Sequence, residues 1–148
     1  MKKITAFSLT LVLLCTLLCA CLPKAPKITD RVWSLASVSS EDDRGISTLQ
    51  YVSDAYVELT GEGEELPRVN YKLRAKRGNI TLYDEDSDKK FQGIYENADE
   101  FSPDAMAYDI VMENKRGTAL IMRGFDADEN EFYTLSISVG NYALLFFK

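Results

Sequence analysis

Tyr133-Thr134-Leu135-Ser136-Ile137-Ser138-Val139-Gly140-Asn141-Tyr142-Ala143-Leu144-Leu145-Phe146-Phe147 is the most legible stretch of this chain. Tyr133, Leu135, Ile137 and Val139 alternate with Thr134, Ser136 and Ser138, the period of a strand with one dry face and one wet face. Gly140 and Asn141 both tolerate positive φ, so the pair predicts a two-residue hairpin turn. The return run, 142–147, is apolar on both faces, which predicts a strand covered on both sides or one that closes a sheet.

The same period extends outward from this hairpin. Val69, Tyr71, Leu73 and Ala75 alternate with Asn70, Lys72, Arg74 and Lys76, and Met106, Tyr108, Ile110 and Met112 line one face of 106–113. Shorter apolar or β-branched runs at 31–38, 55–60, 79–83, 90–95 and 118–123 predict further strands. Gly-, Asn- and Asp-rich turn signals separate them, at Arg77-Gly78-Asn79, Asp84 to Asp88, Asn114 to Gly117 and Asp126 to Asn130. Residues 42–53, with Ile46, Leu49 and Val52 three apart, allow a short helix or a loop. Eight to nine strands joined by tight turns predict an all-β, antiparallel up-and-down meander. Closing it removes its edges, so a closed or nearly closed barrel is expected, with a two-sheet sandwich as the alternative.

The first 20 residues have a different character. Lys2 and Lys3 precede an apolar run from Ile4 to Leu18 that is shorter than the roughly 20 residues of a membrane span. That arrangement predicts an export signal. It ends in Leu18-Cys19-Ala20-Cys21, which resembles the lipobox of bacterial lipoproteins. The resemblance implies cleavage before Cys21, a diacylglyceryl group on its thiol and acylation of the new amine by a palmitate-type chain. It also implies a cell-envelope, extracytoplasmic location. In a cell with two membranes, Leu22 after the cysteine implies the outer one. The expected organisation is a signal peptide over 1–20, the lipidated cysteine and a Pro- and Lys-containing tether over 21–30, and one domain over 31–148.

Removing the first 20 of 148 residues leaves 128, enough for one core, and takes two lysines with it, so the side-chain charge moves from −6 to −8. An acidic chain without a dominant basic face is a poor nucleic-acid binder. The lipid, rather than net charge, must then hold the protein at a membrane. Cys15 and Cys19 leave with the signal and Cys21 is alkylated, so no free thiol remains. The chain has no histidine, so imidazole triads and the preferred transition-metal ligands are missing, and no cofactor is expected.

The only tryptophan stands in Arg31-Val32-Trp33-Ser34-Leu35. This segment resembles the opening strand of lipocalin-like domains, where a tryptophan after Gly-x plugs the closed end of the barrel. Here Arg31 replaces the glycine. The resemblance implies a small lipocalin-like lipoprotein, and a barrel of about eight strands either fills with side chains or holds one small ligand. Inward tyrosines supply apolar walls with a polar handle, so Trp33, Tyr71, Tyr108 and Tyr133 are the candidate ligand-binding residues. Lys72, Arg74 and Lys76, on one outer strand face between Arg68 and Arg77, are the candidate partner-binding residues. Their ordinary alternative is cross-strand pairing with acidic neighbours. Asp84, Asp86 and Asp88 are the one candidate calcium cluster, without the glycine and glutamate of an EF-hand loop. No nucleophile–base pair, nucleophile elbow or phosphate loop is present, so an enzyme is not expected. The expected function is a membrane-anchored, non-catalytic binding module for a small apolar or amphipathic ligand. The alternative is an envelope interaction or assembly factor that uses its outer surface.

Overall fold

A computed structural model describes residues 25–102 and 104–148; the expected signal peptide and Cys21 lie outside them. Nine strands and one α-helix follow in the order β1 (Val32–Glu41), β2 (Ser47–Val52), α1 (Asp54–Thr60), β3 (Tyr71–Lys76), β4 (Asn79–Asp84), β5 (Lys90–Ser102), β6 (Ala105–Met112), β7 (Lys115–Phe125), β8 (Glu131–Val139) and β9 (Tyr142–Phe147). From β3 to β9 each strand pairs antiparallel with the next. β9 returns to β1 through Ser34↔Phe147 to Ser40↔Tyr142, and β1 meets β3 through Val32↔Arg74 to Ser34↔Lys72. That cycle of pairings is a closed eight-stranded, lipocalin-like barrel with one extra strand, not a two-sheet sandwich.

The apolar return run 142–147 does close the sheet. Leu144 and Phe146 point into the core, while the outer residues Ala143, Leu145 and Phe147 are half-buried. Tight turns join the meander. At Arg77-Gly78 and Glu113-Asn114 both central residues have positive φ, as the strand twist demands of a two-residue hairpin, and at Gly140-Asn141 the positive φ falls on Gly140.

β2 is the extra strand. Only the first three residues of β1 pair with β3; from Ser37 onward the same edge of β1 carries β2 instead. The barrel is thus laced tightly at one end and parted at the other.

Three expectations change. The run 55–60 is helix, not strand: Ser53 Oγ accepts from the Tyr56 N–H at 3.2 Å, and Gly61 ends the helix with φ 71°. Residues 42–53, expected as helix or loop, form a tight turn followed by β2. The Asp42 carboxylate holds that turn by accepting from the backbone N–H groups of Arg44 and Ile46 at 2.9 and 3.0 Å. The third correction concerns the tether. Across its described part it is docked on the domain: Ala25 and Ile28 are buried, and Ile28–Asp30 form a 3₁₀ turn that packs on β3. The apolar side chains at 25 and 28 have a core to enter, so the domain begins by Ala25 rather than at Arg31.

Candidate functional site

The two ends of the barrel differ in how they are filled. At the end where β1 begins, Trp33 is fully buried and its Nε1 donates to the Ile28 carbonyl at 3.2 Å. The Ile28 N–H donates in turn to the Tyr108 hydroxyl at 3.1 Å, and Tyr95 meets Tyr108 edge-on at 5.8 Å. Burial pushes the Tyr108 phenol above its ordinary pKa. Arg31 lies over the Tyr133 ring, 4.0 Å from its centroid. The Tyr133 phenol is also raised, by burial first and then by its hydrogen bond to the Glu131 carboxylate. No buried side-chain nitrogen or oxygen among the described residues lacks a partner. This end is a solid plug.

The opposite end is a cup. It measures about 820 Å³ and opens between the β4–β5 loop, the Glu113-Asn114 turn and the end of β9 that begins at Tyr142. Leu35, Val38, Leu82, Met112, Val139 and Leu144 form its apolar wall, and Tyr71 and Phe91 stand at its side with ring centroids 6.1 Å apart. Charge is confined to the rim. Arg68, Lys89 and Lys115 stand there with Asp84, Asp86 and Glu113. Lys115 Nζ lies 5.7 Å from the Tyr142 ring, and Arg68 is committed to Asp54 and to the carbonyls of Gly63, Glu64 and Leu66. An apolar cavity with a few polar groups at its entrance is the usual form of a small-molecule site.

Of the four aromatic candidates, only Tyr71 lines the cup. Trp33, Tyr108 and Tyr133 belong to the plug, so they form the floor of the barrel and not the wall of the cavity. The residues that do form the wall are ordinary inward aliphatics. Their alternation is legible in the sequence, but nothing in it distinguishes an inward residue near the mouth from one near the floor.

Lys72, Arg74 and Lys76 do share the outer face of β3. Their cross-strand neighbours are Ser34, Val32, Tyr83, Thr81 and Asn79, not the acidic residues that ordinary pairing requires. Lys72 alone is engaged, donating to Ser34 Oγ at 2.9 Å and lying 3.7 Å from Glu85. Arg74 and Lys76 are exposed and have no ion pair among the described residues.

The aspartates of the calcium candidate do not converge. Asp84 accepts from the Asp86 N–H and from Ser87 Oγ, which holds its carboxyl below the usual range, and Asp86 accepts from the Asn70 side chain. Among the described residues no three His, Cys, Asp or Glu side chains come together as metal ligands. The Asp126 loop is built the same way. Its carboxylate accepts from the Asn130 side chain and from the backbone N–H groups of Asp128 and Asn130, and these bonds lower its pKa.

No known protein family matches this chain, and neither curated proteins nor solved structures give a significant match. Among the described residues no helix is long and apolar enough to cross a membrane.

Proposed function

We propose that this chain is a lipid-anchored, extracytoplasmic binding module of the cell envelope that holds an apolar or amphipathic small molecule in the cup. The observation that carries the reading is the cup itself: about 820 Å³ of space at one end of a barrel whose other end is packed solid. Small barrels either fill with side chains or hold one ligand, and this one does each at a different end. The wall offers dispersion and burial of apolar surface, and the rim offers both signs of charge to a polar head. Anchoring rests on the lipobox resemblance at Cys21, and a cell with two membranes would place the protein at the outer one.

Titration of residues 22–148 with an anilinonaphthalene sulfonate probe tests the cup. Saturable binding to one site with a blue-shifted emission is expected. Val139→Trp, which fills the half-buried wall, should weaken binding at least tenfold while the far-ultraviolet spectrum stays that of a β protein. Equal binding by wild type and filled variant would overturn the reading. Incorporation of labelled palmitate, lost in Cys21→Ser, tests the anchor separately.

A further inference from the structure

We propose that the plugged end of the barrel rests on the anionic lipid surface, with the outer face of β3 turned toward the headgroups and the cup opening away from the membrane. The proposal depends on acylation of Cys21, as in the reading above.

Reach decides which end faces the bilayer. Ala25 and Ile28 are buried, so the docked chain begins by residue 25, only four residues after Cys21. Four residues span at most about 14 Å even when fully extended. β1 runs ten residues from the plug toward the mouth, about 33 Å along its length. An acyl chain on Cys21 therefore cannot reach the rim of the cup, and the end where the chain enters must lie next to the bilayer.

Charge decides which side of that end is lowest. The Ile28–Asp30 turn packs on β3, beside a groove of about 460 Å³ whose lining includes Arg31, Val32, Arg74, Lys76 and Arg77. Arg74, Lys76 and Arg77 have no ion pair among the described residues, and Val32 is 38% exposed between them and the entering chain. The groove's one carboxylate, Asp30, already accepts from the Lys27 backbone N–H at 2.9 Å. The acidic loop of the same end, Asp126 to Glu131, joins β7 to β8, on the far side of the eight-stranded ring from β3. A chain of net charge −8 is repelled by an anionic surface as a whole, so it settles with its unpaired cations down and its acidic loop tilted up. Three such cations near the surface are worth roughly a hundredfold in membrane partitioning at low salt.

The test uses the lipidated protein reconstituted in vesicles of phosphatidylcholine with 30% phosphatidylglycerol and a headgroup-linked energy acceptor. With Cys21 alkylated, a single introduced cysteine carries the donor, either at Asn79→Cys beside the stripe or at Asp88→Cys on the mouth loop. Transfer is expected to be strong from position 79 and weak from position 88. Arg74→Gln, Lys76→Gln and Arg77→Gln together, or 0.5 M salt, should lower transfer from position 79 several-fold while the tether keeps it above that from position 88. Equal transfer from the two positions would overturn the orientation. Unchanged transfer from position 79 in the neutral variant would overturn the lipid contact and leave the stripe to an acidic protein. Acyl labelling of the same sample separates these outcomes from failure of the anchor, since an unlabelled wild type removes the premise itself.

Discussion

The plug and the cup are built from the same strands with the same inward alternation, yet one is solid and the other hollow. The difference lies in two places. The plug receives large rings, Trp33, Tyr108, Tyr133 and Phe146, and a side chain from outside the sheet, Ile28. The mouth's aliphatic wall is Val38, Leu82, Met112 and Val139, which are smaller or more flexible, and its rings, Tyr71 and Phe91, stand to one side. The strands also part there, because β1 exchanges β3 for β2 along its edge. A barrel's hollowness is therefore set by side-chain volume and strand divergence at one level of the ring, not by the number of strands.

If that contrast is real, equal truncations must have unequal costs. The largest expected effect is Leu73→Ala, paired with Trp33 and fully buried, which should cost about 3–5 kcal/mol because the packed plug cannot collapse around the space. Leu144→Ala on the wall of the cup should cost about 2 kcal/mol or less, since its neighbours already border open volume. Urea unfolding of the two variants measures both, and similar costs would break the comparison.

An intermediate effect probes the polar stitching of the plug. Tyr108→Phe keeps the ring but removes the acceptor of the buried Ile28 N–H, so a loss of about 1–3 kcal/mol is expected. Hydrogen exchange at the Ile28 amide should accelerate at the same time. A neutral substitution with unchanged exchange would show that the N-terminal turn is not held this way.

The smallest effect concerns the exposed acidic loop at the edge of the plug. The Asp126 carboxyl is held below its ordinary pKa by the Asn130 side chain and by backbone N–H groups. A depressed folded-state value stabilises above the unfolded pKa of about 3.9 and is lost as pH falls through the folded value. Asp126→Asn should therefore flatten the acid limb of a stability–pH profile below about pH 4, without altering probe binding in the cup. A variant with the wild-type slope would assign acid sensitivity to other carboxylates.

Much of the fold was readable before the structure, and the failures have local causes. Strict alternation in 133–139, and the one apolar face of Met106, Tyr108, Ile110 and Met112, leave a chain no other way to separate its apolar and polar faces, so those strands appear where the pattern puts them. The 55–60 run reads as a strand because its four apolar residues outweigh Ser53 and Gly61, the cap residues that bound a short helix at its two ends. The tether was misread because Ala25 and Ile28 look isolated in sequence. Ile28 is held by Trp33, five residues on, and by Tyr108, eighty positions away on β6. In the basic stripe the alternative of acidic pairing holds only at Lys72, beside Glu85; register places Thr81, Asn79 and Val32 beside Arg74 and Lys76.

By itself, the sequence determined the strand class, the tight turns, the lone tryptophan in the opening strand and the absence of imidazole chemistry, because each is a property of neighbours along the chain. Only the tertiary structure decided that the barrel closes through β1 and β9, which aromatic residues became floor, and that aliphatic residues became the wall of a cup. Those outcomes depend on register around a closed ring, where every pairing constrains the next and no local window contains the information. The same closure placed the entering chain beside Arg74 and Lys76, a proximity between residues some fifty positions apart that alternation alone does not encode.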